Sequence, residues 1–275
     1  MALICRTLAL IFILSLGMRL TAQDVSSIPP ASKEKRKGTL YFTWGYNRDA
    51  YTKSDVHFVN KKTDNYDFTF LSAHAHDKPS MDRYWQPERL TIPQYDMHLG
   101  YFLNDKHNLG IEIGWNHLKY VVTDNQVIHV RGEIRGRAID KDTLVTPNFV
   151  HLQHTNGNNY ALINLVKRQT LFTSKNIQAS AIAKVGAGPL ISVTISTIFG
   201  SSLRTGFMYQ GWVAASSLGL RINLYRYFFI QGDVQGAFAN YTDSEIGADR
   251  MGKSYQHFFS LQYMWAGGVN IPLRF

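Results

Sequence analysis

The sequence predicts an all-β fold, an eight-stranded antiparallel transmembrane up-and-down β-barrel with long extracellular loops. Beyond residue 37 the chain is built from runs of about 10–16 residues that alternate apolar and polar side chains with a period of two. Tight polar turns and long connections then alternate strictly between those runs. An apolar N-terminal segment carries the marks of an export signal.

Residues 1–22 supply that signal. Arg6 gives a basic start, residues 8–17 an apolar stretch, and Leu20, Thr21 and Ala22 a small residue at the expected cleavage point. The apolar stretch is shorter than the roughly 20 residues of a membrane-spanning helix. Its removal takes away Cys5, the one cysteine of the chain, which excludes disulfides, thiol nucleophiles and Cys-based metal sites from the exported part. Arg6 and Arg19 leave with it, so 27 basic side chains face 20 acidic ones. Residues 23–37, with "SSIPPASKEKRK", form a basic periplasmic leader. Beyond it the cations are scattered singly, and no nucleic-acid partner is expected.

The barrel is expected over 38–275. Its first strand, 38–48, sets Leu40, Phe42, Trp44 and Tyr46 against Tyr41, Thr43, Gly45 and Asn47. In 94–103, Tyr95, Met97, Leu99 and Tyr101 oppose Asp96, His98, Gly100 and Phe102. In 108–122, Leu109, Ile111, Ile113 and Trp115 oppose Gly110, Glu112, Gly114 and Asn116. Runs 158–172, 177–188, 208–224 and 226–242 follow, and 256–275 closes the set. Three connections are tight, at 104–106, 173–176 and 224–226. Four are long, at 49–93, 123–157, 189–207 and 243–255. An even strand number, short turns at one end, long loops at the other and an apolar/polar dyad match a barrel of the outer membrane. Both termini then lie in the periplasm. A β-sandwich would also alternate, but it gives no reason for two classes of connection.

A sheet in hydrocarbon must pair every backbone group and therefore close on itself, so the last strand is expected to meet 38–48. Val269, Ile271, Leu273 and Phe275 form the outward face of the chain end. That end resembles the C-terminal signal of Gram-negative outer-membrane barrels, which implies recognition by the barrel-assembly machinery. Pro272 departs from the pattern, at a strand end where proline is tolerated.

An eight-stranded barrel is just wide enough to be filled by side chains. The inward face carries His98, Glu112, Arg221 and Asp233. A three-residue turn at 104–106 would set His98 directly across from Glu112. A self-satisfied polar plug is the expected role of these four, because buried charges need partners for solvation alone.

Eight of the ten histidines fall in or beside the long connections. "SAHAHDKP" puts His74 and His76 on one face of an extended segment, followed by Asp77. With His57 as a third ligand they are a candidate divalent-metal site at the outer loops; no other cofactor is expected. "DVHFVNKKTDNYDFTF" reads as a hairpin around a polar turn, and "VIHVRGEI" at 127–134 reads the same way. Ordered loops of this kind suit an extracellular ligand or a partner outer-membrane protein.

Lipid A 3-O-deacylases pair a histidine with a serine two residues on. "HLQHTNG" at 151–157 has Asn156 in that place, and in "QHFFS" Ser260 follows His257 by three, on the opposite face of a strand. Neither fits a nucleophile and its base. By "FTWGYNR", "AHDKP", "TIPQYDMHLGYFL", "WNHLKYVV", "HTNGNNY" and "YFFIQGD" the chain resembles uncharacterised outer-membrane β-barrel proteins of Gram-negative bacteria. The resemblance covers most of 38–275. It implies the cell outer membrane, contact with its lipids, lipopolysaccharide included, and a non-enzymatic binding, adhesion or envelope-structural role. A lipid-modifying enzyme, or an accessory subunit of a larger complex, is the alternative.

Overall fold

The computed structural model describes residues 38–84, 86–91, 93–103 and 108–273. The export signal, the leader, the 104–106 turn and Phe275 lie outside the described residues. Fifteen strands follow in chain order: β1 (Thr39–Tyr51), β2 (Ser54–Asn60), β3 (Tyr66–Ala73), β4 (Ala75–His76), β5 (Tyr95–Phe102), β6 (Leu109–Val122), β7 (Gln126–Ile134), β8 (Arg137–Val145), β9 (Val150–Thr173), β10 (Ile177–Ser192), β11 (Thr194–Ile198), β12 (Ser201–Arg204), β13 (Met208–Leu224), β14 (Phe228–Ile246) and β15 (Gly252–Pro272).

Eight of them close a ring in the order β1-β5-β6-β9-β10-β13-β14-β15. β15 pairs with β1 from Thr39↔Pro272 to Tyr51↔Ser260, so the first and last strands seal the sheet over their whole shared length. The eight expected runs are these eight strands, with most ends moved by a few residues; β9 begins at Val150, inside the stretch expected as the 123–157 connection.

The side chains of the ring are turned inside out relative to a soluble protein. Met97, Leu99, Ile111, Ile113, Ile163, Leu165, Leu220 and Ile230 are exposed, while Asp96, His98, Glu112, Asn116, Asn164, Arg221 and Gln231 are buried. Ile113 and Ile163 each show more than 60% of their surface. A continuous apolar belt around a polar lumen is stable only where the belt meets hydrocarbon, and ring closure leaves it no unpaired backbone edge. The ring spans a membrane.

A tilted strand crosses a bilayer in about 9–11 residues, yet β9 has 24 and β15 has 21. The surplus, with the long connections, builds a cap beyond the belt. The β2–β3 hairpin continues the sheet along β15, with Val56↔Gln256 and Val59↔Lys253. β3 then pairs with β7, and β7 with β8. On the other side β11 pairs with β9 and carries β12. The hairpin around the polar turn at 60–65 is as expected. The partner of 127–134 is 137–145, a strand its charged sequence hides, and a further hairpin (β11–β12) occupies 189–207. β9 changes direction at Asn156 (φ 56°) and Gly157 (φ 139°). A β-carbon at Gly157 would lie 2.4 Å from the Phe207 ring, so only glycine fits that bend.

The two walls of the cap enclose an aromatic core. Phe58, Phe68 and Phe70 from the β2–β3 hairpin meet Phe149 and Phe199, with Phe58–Phe68 at 5.2 Å and Phe149–Phe199 at 5.6 Å between ring centroids. This core runs without a break through Tyr120, Leu152 and Val213 down to Tyr160, Tyr241 and Phe258. It closes the loop end of the barrel with apolar side chains.

Candidate functional site

Below that apolar seal the lumen is polar, and each strand delivers its inward residue to the same layer. Glu112 of β6 is completely buried. Its carboxylate accepts the Tyr41 hydroxyl at 2.7 Å and the Asn164 amide at 3.0 Å. Lys184 Nζ donates to both carboxylate oxygens at 3.0 Å. His98 Nδ1 lies 3.2 Å from the same Nζ and 3.4 Å from Glu112 Oε1, and its Nε2 is 2.8 Å from Asn116 Oδ1.

Arg221 heads a second group. Its guanidinium lies 3.9 Å from the centroid of Phe229 and 4.4 Å from that of Tyr41. Nε donates to Gln231 Oε1 at 2.6 Å, and Gln231 Nε2 in turn donates to Asp233 Oδ2 at 2.7 Å. Tyr41 joins the groups, its hydroxyl on Glu112 and its ring under Arg221. Towards the turn end, Tyr41, Phe102, Val166, Ile182 and Phe229 pack into an apolar layer. The lumen is filled along its length by an apolar seal, a hydrogen-bonded charge layer and an aromatic floor.

Sequence reasoning placed His98, Glu112, Arg221 and Asp233 in the lumen, and the structure brings the first two into contact. The expected register needs correction. His98 lies across from Gly114, and Glu112 across from Gly100. The last pair is Phe102↔Gly110, with Leu103 N bonded to Leu109 O, so the turn is longer than three residues and His98 meets Glu112 on the diagonal. Lys184 was missed, although it is the one charged residue in its run, on the inward face. An inward carboxylate needs a cation, and that requirement is the signal that points to it.

The expected metal site is not assembled. Asp77 is held by Arg48 at 2.7 Å, and His57 lies 3.0 Å from Asp67. His76 Nδ1 contacts Thr123 Oγ1 at 3.0 Å. Among the described residues no three His, Cys, Asp or Glu side chains are grouped to hold a cation. The β2–β3 hairpin pairs with β15 and carries His57 away from the short β4 that holds His76.

The other histidines have separate settings. His154 is fully buried in the cap, stacked on Tyr241 at 4.4 Å, with Thr194 Oγ1 3.2 Å from Nδ1 and Gln256 Nε2 3.1 Å from Nε2. Burial away from water pushes its pKa down to about 3. His129, exposed on the β7–β8 hairpin, lies between Asp140 at 2.6 Å and Asp142 at 2.9 Å, which raise its pKa. His151 Nδ1 contacts Asp124 at 2.8 Å, across the strand from Thr197, but no hydroxyl among the described residues is hydrogen-bonded to its other ring nitrogen. Ser260 is buried against Tyr160, while His257 turns outward to Phe238. These pairs lack the nucleophile–base contact that acyl transfer requires.

A closed eight-stranded ring, an apolar belt and a filled lumen define the class: this is a β-barrel protein of the outer membrane. No protein-family model and no curated protein sequence matches the chain. Solved structures similar to it include Ail, the attachment invasion locus protein of Yersinia pestis, at 9% identity over 86% of this chain and 99% of that one, with a TM-score of 0.34. The same protein in complex with the heparin analogue sucrose octasulfate gives 12% identity over 86% and 99%, with a TM-score of 0.32. The outer-membrane protease OmpT from Escherichia coli gives 8% identity over 90% and 100%, with a TM-score of 0.35.

Proposed function

We propose that the chain is a non-enzymatic outer-membrane protein that works from its outer surfaces, by binding a ligand or partner at the cap or by bracing the envelope. One observation carries this reading: every layer of the lumen is occupied, so neither solute passage nor lumen chemistry has room. The cap, carried outside the cell with the termini in the periplasm, is a built structure. Its hairpins share one sheet with the barrel and one core of buried rings. A rigid scaffold presenting short polar turns suits recognition of a large partner, because little ordering entropy is lost on contact.

The test compares lipid A mass spectra from cells with and without the protein. Identical acyl patterns are the expected result. A missing or added acyl chain in the presence of the protein would replace this reading with that of a lipid-modifying enzyme.

A further inference from the structure

On β6 and β9 the outward face changes character within a few residues. Ile113↔Ile163 is the last bare aliphatic pair of these two strands, and the next outward pairs are Trp115↔Ala161 and His117↔Asn159. A polar pair is costly against hydrocarbon, so the belt ends between them. Just beyond, β9 bends at Asn156 and Gly157, and the Phe207 ring lies against the bend. Trp115, Phe207 and the His117–Asn159 pair line a cavity of about 320 Å³, at the small end of the roughly 300–1,000 Å³ of small-molecule sites.

One wall of the cavity is set rigidly. Asn159 Nδ2 donates to Gly157 O at 3.0 Å and to Ile191 O at 3.1 Å, which uses both of its N–H groups. Its Oδ1, 2.9 Å from His117 Nδ1, therefore accepts, and the imidazole carries its proton on Nδ1. Nε2 of the neutral ring is left as an acceptor. The ring plane is fixed by Tyr95, itself stacked between His117 and Trp44 at 5.0 Å from each. Neither Nε2 nor the Asn156 amide and Thr91 hydroxyl that line the same cavity is hydrogen-bonded to a described residue. Among the described residues no other ring stacks on Trp115 or Phe207, and no charged side chain lines the cavity. It thus combines an oriented acceptor, two further polar groups and two open ring faces without a charge.

We propose that this cavity binds a neutral sugar unit, a hexopyranose, with its C–H faces against the Trp115 and Phe207 rings and a hydroxyl donating to His117 Nε2. A pyranose offers apolar faces and a rim of hydroxyls that both donate and accept, which is the chemistry this lining can satisfy in full. An alkyl chain would leave the oriented acceptor and the Asn156 amide unpaired as it displaced their water. A charged group would find no counter-charge. The proposal rests on the reading of a protein that binds at its outer surfaces and names one site for it. Its test reads sugar contact at this cavity alone, so an altered lipid A pattern and an empty cavity are separate failures.

The experiment titrates the purified protein, in phosphatidylcholine nanodiscs that carry no sugar, with the methyl glycosides of glucose, galactose and mannose and, in parallel, with cyclohexanol. Saturation-transfer NMR reads the contact. At least one glycoside is expected to bind with a Kd of about 10 mM or tighter. Phe207→Ala removes a ring that is 64% exposed, and His117→Phe keeps a ring against Tyr95 but removes the acceptor. Each should weaken that binding at least about tenfold, with heat-dependent gel mobility confirming the barrel. Absence of contact with all three glycosides, affinity unchanged in either variant, or cyclohexanol competing as well as the glycosides overturns the proposal. Repeating the titration with lipopolysaccharide in the nanodiscs separates two sources of the sugar. Loss of the glycoside signal assigns the cavity to a saccharide of the membrane itself, and its retention assigns the cavity to a glycan from outside the cell.

Discussion

Removing Lys184 tests whether the charge layer holds the barrel together. Lys184→Met keeps the length and apolar stem of the side chain but leaves Glu112 with the Tyr41 hydroxyl, the Asn164 amide and, at 3.4 Å, His98 Nδ1 as partners, and with no ammonium. Lys184 is 3% exposed and Glu112 not at all, so water cannot replace the lost ammonium. Stripping one partner from a buried ion pair costs about 3–5 kcal/mol, because the survivor stays desolvated and unpaired. Glu112→Gln alone should cost a similar amount by leaving Lys184 against His98. The double variant carries no orphan charge, and its stability should return to within about 1.5 kcal/mol of the original. Urea unfolding from lipid vesicles, followed by tryptophan fluorescence, reads these differences as midpoint shifts. At a slope of about 1–3 kcal/mol per molar, the single variants should move by roughly 1–5 M. A loss below about 1 kcal/mol in Lys184→Met, or a double variant as damaged as the sum of the singles, would refute a coupled pair.

The remaining predictions concern the cap. His154 refuses a proton in the folded state down to about pH 3, against about 6.5 in the open chain. Between those values the unfolded chain binds the proton and the folded one does not. Stability is therefore full above about pH 6.5 and falls progressively towards pH 3, by about 5 kcal/mol at about 1.4 kcal/mol per unit. Comparing the pH dependence of the urea midpoint in His154→Phe checks this, and an unchanged slope would contradict it. His129 titrates in the opposite sense. Its Asp140 and Asp142 bonds favour the charged ring, so the β7–β8 hairpin should gain protection from proteolysis below the ordinary imidazole pKa and lose it as the pH rises through the raised value. Phe68→Ala should cost about 3–5 kcal/mol, because it empties the centre of a cluster made by Phe58, Phe70, Phe149 and Phe199.

The ring was legible because lipid and lumen impose opposite demands on successive residues. The period of two survives in β5 (Tyr95–Phe102), in β13 and in β14 whatever the details of packing. The cap was less legible for the same reason. β8 reads RAIDKDTLV and is exposed almost throughout, so no face of it is selected to be apolar. The upper part of β9 buries both faces, His154 and Thr155 alike, and so loses its alternation. Lumen contacts depend on register. A turn longer than three residues between β5 and β6 slid His98 from Glu112 to Gly114, a shift that leaves every side chain on its expected face. Lys184 needed the pairing of β6, β9 and β10 before its charge could be matched to Glu112. The cavity was invisible in the strand pattern, since His117 and Asn159 stood on separate strands until the β6–β9 register set them side by side.

The proposed role requires a barrel that is closed along its axis. Conductance across a planar bilayer containing the purified protein tests this directly. With the Tyr120–Phe258 seal and the Glu112–Lys184 layer in place, no steady unitary current is expected over the unaltered bilayer. Stable current steps from the unaltered protein, surviving removal of detergent and contaminating porins, would show an open lumen and contradict the proposed role.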